Sequence, residues 1–161
     1  MVRDDLDRVL TWRNHPKIRC YMFTTHEITI EEHYSWFESA SKDVNKRLMI
    51  FEREGIPCGF VHFNNMYPAG IADWGFYTAP DAPKRTGKEL GLAALKIGFE
   101  EVKLHKICGQ ALDFNVASIR FHKSLGFQQE GLLREQHYDG ESYHSIICFG
   151  LLQSEWKNNF R

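Results

Sequence analysis

The chain has 161 residues, 43% hydrophobic and 14% aromatic, and a formal net charge of −1. This length suits one domain with a sizeable core, and the composition excludes a disordered chain. A charge so near zero excludes a dedicated nucleic-acid binder, and the apolar runs are too short to cross a bilayer, so neither nucleic acid nor membrane is an expected partner.

Residues 4–21 read as helix through Leu6, Val9, Leu10 and Trp12, interrupted at His15-Pro16 because proline disfavours helix at the residue before it. Thr29 with Glu32 three positions later forms a capping box, opening a helix that carries His33, Trp36, Phe37 and Ala40. Residues 47–53 read as a strand, the turn Glu54-Gly55-Ile56-Pro57 follows, and residues 58–63 are its hairpin partner. A strand over 71–78 precedes a helix over 88–104 that buries Leu90, Ala94, Leu95, Ile97, Gly98 and Phe99. A strand over 106–112 and a helix over 117–125 come next. The last hairpin pairs 134–138 with 142–151 about Asp139-Gly140. Hairpins around one βαβ crossover predict a single α/β domain over 1–161, with a mixed, mostly antiparallel sheet flanked by helices.

Cys20, Cys58, Cys108 and Cys148 are scattered and form no CxxC pair, so no metal is expected and the thiols read as the reduced cysteines of a cytoplasmic protein. No signal-peptide pattern opens the sequence. The segment that carries chemistry runs from Phe76 to Phe127. There a strand feeds the basic, glycine-bearing turn Lys84-Arg85-Thr86-Gly87-Lys88-Glu89 at a helix start. Unpaired main-chain N–H groups gathered at such a turn suit a pyrophosphate.

That turn, followed by Asn115, Ala117-Ser118-Ile119-Arg120-Phe121-His122-Lys123 and Leu125-Gly126-Phe127, resembles the GCN5-related N-acetyltransferase (GNAT) family. The resemblance covers nearly the whole chain and implies the GNAT fold with acetyl-CoA as cosubstrate. Two positions depart from the family pattern: Glu89 replaces a small residue, and His122 stands where a tyrosine is usual. The family also begins with a strand for which only Met1-Val2-Arg3 is at hand, so that strand is expected to be short or missing.

The resemblance implies that the amides of Arg85, Thr86, Gly87, Lys88 and Glu89 hold the pyrophosphate, with Lys84 in the same cofactor-binding loop, and that Phe76, Tyr77 and Thr78 pair with the pantetheine. Asn115, Ser118 and Lys123 complete that cofactor set. His122 is the expected acid for the departing thiolate, and either Asp113 or His62 takes the proton of the amine. Trp12-Arg13-Asn14-His15-Pro16, Tyr21-Met22, Glu31-Glu32-His33, Trp36-Phe37, Leu104-His105-Lys106 and residues 127–134 further resemble the acetyltransferases of pseudaminic acid synthesis. That branch acts on the 4-amino group of a UDP-linked 4-amino-4,6-dideoxy-N-acetylhexosamine. It implies substrate contacts at Arg13, Met22, Thr24, His33, Asn64 and Asn65, and a homodimer is left open. Two rivals share the central motif: a protein N-terminal acetyltransferase of the ribosomal type, and a catalytically silent acetyl-CoA-binding module.

Overall fold

The structure is a computed structural model and describes residues 1–159. A 3-10 turn (Arg3–Asp5) leads into α1 (Leu6–Asn14), α2 (Pro16–Arg19) and α3 (Ile30–Ala40). The hairpin β1 (Arg47–Arg53) and β2 (Ile56–Asn64) follows, then β3 (Ile71–Thr78) and α4 (Thr86–Lys96), which widens into a π turn (Ile97–Glu101). Next come β4 (Lys106–Leu112), α5 (Val116–Ser124), β5 (Gln128–Tyr138), β6 (Tyr143–Leu152) and α6 (Gln153–Asn159). The strands form one mixed sheet in the order β1-β2-β3-β4-β6-β5.

Local chemistry sets the boundaries. His15 is extended and its Nδ1 accepts from the Lys17 amide, so the residue that ends α1 also caps α2, whose first position is Pro16. Thr29 and Glu32 exchange the two bonds of a capping box, at 3.2 and 2.8 Å. The β1–β2 turn is tighter than its four-residue motif suggests. Glu54 and Gly55 both have positive φ, the two-residue hairpin geometry, and Pro57 lies inside β2. Proline is tolerated there because pairing of β2 with β3 starts only at Gly59, and the ladder to β1 is already irregular at Glu52.

Other boundaries also depart from the sequence reading. Helix α4 opens at Thr86, two residues early, and the helical run stops at Glu101, leaving Leu104 buried in a loop. Strand β5 begins at Gln128 rather than near Arg134, with irregular pairing on both sides of Leu132. Among the described residues no strand precedes α1; the Met1 ammonium instead donates to the Leu48 carbonyl of β1 at 3.1 Å.

One face of the sheet carries Phe63, Ile107, Phe149 and Leu151 against Leu90 and Leu95 of α4 and Leu125 after α5, all essentially inaccessible. Each such side chain contributes about 1.5–3 kcal/mol by leaving water. The opposite face seats Val9, Trp12 and Ile18 on Phe60 and Tyr77, with Trp36 of α3 beside them. The interruption lies in the middle of the sheet. The parallel strands β3 and β4 pair only through residues 71–73 and 106–108, and beyond them they diverge.

Candidate active site

The divergence opens a cavity of about 980 Å³ that reaches both faces of the sheet. Side chains alternate along β3, so Trp74 and Phe76 face α4 and α5, while Asp73, Gly75 and Tyr77 face α1 and α3. On the first side the cavity wall includes Gly87 of α4, Asn115 just before α5 and Ser118 of α5. On the second it includes Arg13, His33 and His62.

The start of α4 is shaped for an anion. Arg85 precedes the helix with φ of 74°, a left-handed conformation rare for a residue with a Cβ, and its side chain caps nothing. The Thr86 amide donates to Pro83, whereas those of Gly87 and Lys88 have no bond among the described residues. A Cβ built at Gly87 would find nothing nearer than Thr78 Cγ2 at 3.9 Å, so the glycine keeps a concavity free. Glu89 does not intrude. Its carboxylate turns to Arg53 at 3.6 Å, away from the mouth. Alternation also directs the Phe76 and Thr78 amides toward β4, where no ladder partner exists, because Ala79 N–H bonds Cys58 on the β2 side. These features fit a pyrophosphate followed by an amide-bearing arm. Asn115 caps α5 by accepting from the Ser118 amide at 3.0 Å. Lys84, Arg85, Lys88 and Lys123 are exposed around this mouth and outside the cavity wall.

His122 is not the surface histidine that a helix position suggests; it is 1% exposed. Its Nδ1–H donates to the Ser118 carbonyl at 2.8 Å, and its Nε2 accepts from the Trp74 indole N–H at 3.1 Å. The ring stacks on Phe149 with centroids 4.7 Å apart. Burial lowers its pKa to about 4, so it is neutral at pH 7. In this arrangement no proton of His122 is left for a thiolate, and the acid role read from the sequence has no geometry behind it.

The two suggested amine bases do not converge. His62 lines the cavity above Gly75, where a Cβ would overlap its ring, and burial lowers its pKa to about 4. Asp113 lies outside the cavity wall; its carboxylate accepts from the Ser145 amide at 3.0 Å and faces His144 at 3.8 Å. A carboxylate that sequence reasoning missed is present instead. Asp73 stands on the same face as His62, lines the cavity, and accepts from Asn65 Nδ2 at 2.9 Å. Its signal was a single acidic residue in an otherwise apolar strand. Asn64 lines the cavity and reaches His62 Nε2 at 3.3 Å, whereas Asn65 lies outside and acts only through Asp73.

Arg13 is the strongest polar feature of this face. Its Nη2 donates to the Thr24 carbonyl at 3.1 Å, while its buried Nη1 has no partner among the described residues. Burial pulls its pKa down. His33, stacked on Trp36 at 5.2 Å, likewise has a buried, unpartnered Nε2, and burial lowers its pKa too. Met22 and Thr24 complete this wall. The Tyr77 side chain, also missed, is half-buried near Arg13, and desolvation raises its pKa. Residues 20–28 arch over the cavity: Tyr21 meets Phe114 across 6.1 Å, and Phe23 meets His137 edge-on at 5.5 Å.

Among the described residues no cluster of His, Cys, Asp or Glu is arranged to hold a metal, and no helix is long and apolar enough to cross a membrane. Residues 1–128 match the family model described as Acetyltransferase (GNAT) domain. The chain is 29% identical over 154 residues to Acetyltransferase PseH of Campylobacter jejuni, covering 95% of this chain and 89% of that one. It is 36% identical over 89 residues to the SPbeta prophage-derived uncharacterized N-acetyltransferase YokL of Bacillus subtilis, a match spanning 53% of this chain and 50% of the relative. The fold superposes on the crystal structure of spermidine N-acetyltransferase from Vibrio cholerae in complex with CoA and spermine with a TM-score of 0.90, at 22% identity, covering 98% and 95% of the two chains. A family model spanning well over half of the sequence, together with a wedge and helix start fitted to a pyrophosphate and its arm, makes the chain a member of the GNAT family, an N-acyltransferase that takes its acetyl group from acetyl-CoA.

Proposed function

We propose that the acceptor is the 4-amino group of a UDP-linked 4-amino-4,6-dideoxy-N-acetylhexosamine. The observation that carries this reading is Arg13, a residue of the acceptor-side cavity wall whose buried Nη1 has no partner among the described residues. An arginine held by one nitrogen and vacant at the other suits a diphosphate, because a buried cation without an anion is costly. His33 is on the same wall, and its buried Nε2 likewise has no partner among the described residues. Residues 21–24, 26 and 28 form one wall of the site, which supports a small molecule held on this side and sets the ribosomal-type rival second. A polyamine fits less well: Arg13 and Lys17 share this wall with Asp73, and Glu32 is already engaged by Thr29 and His26.

Acetyl-CoA supplies an activated acyl group as a thioester at the wedge. The chain's own residues do the rest. The Gly87 and Lys88 amides and the free amides of β3 fix the donor from one face, and Arg13 and His33 fix the acceptor from the other, so the two meet where β3 and β4 part. Asp73 holds the incoming ammonium and accepts its proton, with neutral His62 beside it. His122 serves by locking Trp74 in the wedge wall. Asp73→Asn is expected to lower kcat/KM about 100-fold and His62→Ala about tenfold, read from pH–rate profiles. A D73N enzyme as active as the parent removes Asp73 from the role.

The acceptor class is tested by calorimetric titration of UDP into the protein saturated with CoA. Binding is expected, weakened about 10–100-fold by Arg13→Lys, which keeps the charge and loses the fork. No heat from UDP, with turnover of an amino-terminal peptide, would transfer the assignment to the rival enzyme class. Without turnover of any amine, the silent binding module would stand.

A further inference from the structure

We infer that Asn14 is a positioning residue for the acceptor: its side chain clamps the arch over residues 20–28 and thereby sets the place of Arg13 and Met22. The inference rests on the acceptor reading above and names the residue that shapes that site. Residues 20–28 form no helix or strand; the amides of Cys20, Tyr21 and Met22 bond back to α2, and beyond them side chains hold the segment among the described residues. Asn14 Nδ2 donates to the Ile28 carbonyl at 2.8 Å, and its Oδ1 accepts from the Ile28 amide at 2.9 Å. Both main-chain groups of one residue are thus satisfied by one carboxamide, the exchange a neighbouring strand would otherwise make.

The next side chain back along α1, Arg13, holds the same segment at Thr24 through Nη2. The last two residues of α1 therefore grip the arch at two points four residues apart, and the helix break at His15-Pro16 fixes where they stand. The remaining polar ties, Arg19 to Glu27 at 3.3 Å and His26 to Glu32 at 3.1 Å, are exposed and contribute little. Asn14 is not in the cavity wall, so its influence on an acceptor passes through the arch.

The test compares the full chain with Asn14→Ala by calorimetry with UDP and, separately, with acetyl-CoA, and by amide hydrogen exchange. The expected result is UDP affinity about tenfold weaker, acetyl-CoA affinity within twofold of the parent, and faster exchange at Ile28 with the sheet amides unchanged. Equal UDP affinity in parent and variant overturns the inference. So does loss of both ligands in proportion together with a lowered melting temperature, which marks a merely structural residue. If the parent itself gives no heat with UDP, the nucleotide reading fails on its own. Exchange then decides: an Ile28 amide no faster in N14A rejects the clamp, and a faster one sustains it.

Discussion

Gly109→Ala is expected to destabilise the protein by about 2–4 kcal/mol and to abolish most acetyl transfer. A Cβ at Gly109 would stand 2.5 Å from His122 Nε2 and 2.7 Å from Trp74 Nε1, on the hydrogen bond that joins the two rings. Neither ring has room to yield. His122 is stacked on Phe149, and Trp74 is 6% exposed and stacked on Phe127 at 5.0 Å. Either the bond breaks, leaving a buried indole N–H unpaired, or β4 moves away from α5 and the wedge changes shape. For a chain of this size the melting temperature should fall by about 5–15 °C. Gly131→Ala is the control, since its Cβ would meet only Cys148 Cβ at 3.8 Å. A G109A variant melting with the parent would show that the ring pair has slack, and the account of the wedge wall would be wrong.

Acidification is expected to weaken the fold between pH 6.5 and about 4, before most carboxylates respond. His62 and His122 both titrate near 4 in the folded chain because burial disfavours their charged forms, against 6.5 for an exposed ring. The sign follows from proton counting. Above pH 6.5 both states are neutral and stability is flat. Below it the unfolded chain takes up protons that the folded chain refuses, so the free energy of unfolding falls as pH falls. The slope is about 1.4 kcal/mol per pH unit for each ring, on the order of 3 kcal/mol per ring across the window. The lowered pKa values of Glu32 and Asp139 act only below their ordinary 4.5 and 3.8, so they leave most of this window to the histidines. Urea unfolding from pH 7.5 to 4.5 measures the slope. His122→Phe should start less stable, with Trp74 unpaired, and lose one ring's share of it. An unchanged slope in H122F would mean that His122 is protonated in the native state.

Features written in adjacent residues were legible in the sequence. The Thr29–Glu32 capping box, the His15-Pro16 break, the Asp139-Gly140 hairpin and the turn around Gly87 each depend on a few neighbours, and each is present. The six-stranded mixed sheet followed from their order. Features set by distant contacts were not legible. Arg85 in a left-handed conformation starts α4 early, and no propensity marks an arginine for that role. Strand β5 lies at the sheet edge, largely exposed, so Gln128 to Leu133 lacks the alternation that would announce a strand. Helix α6 follows β6 without a turn and carried no boundary signal. At the site, the helix start around Gly87 was readable because the turn is written in contiguous residues. The opposite wall of the cavity was less legible. Asp113 and His62 sit in loop and strand positions that sequence cannot orient, and Asp73 acquires its place only once β3 pairs with β2. His122 shows the same limit: helical spacing did not reveal that Trp74, 48 positions away, would occupy its lone pair.

The brief seam between β3 and β4 bears on how the molecule behaves when empty. With three residue pairs holding the parallel strands at one end only, the two halves of the sheet resemble covers joined at a short spine. The ladder stops after those pairs, and the Phe76 and Thr78 amides beyond them point into the gap. A donor arm taking that place would make its loading and the completion of the architecture one event.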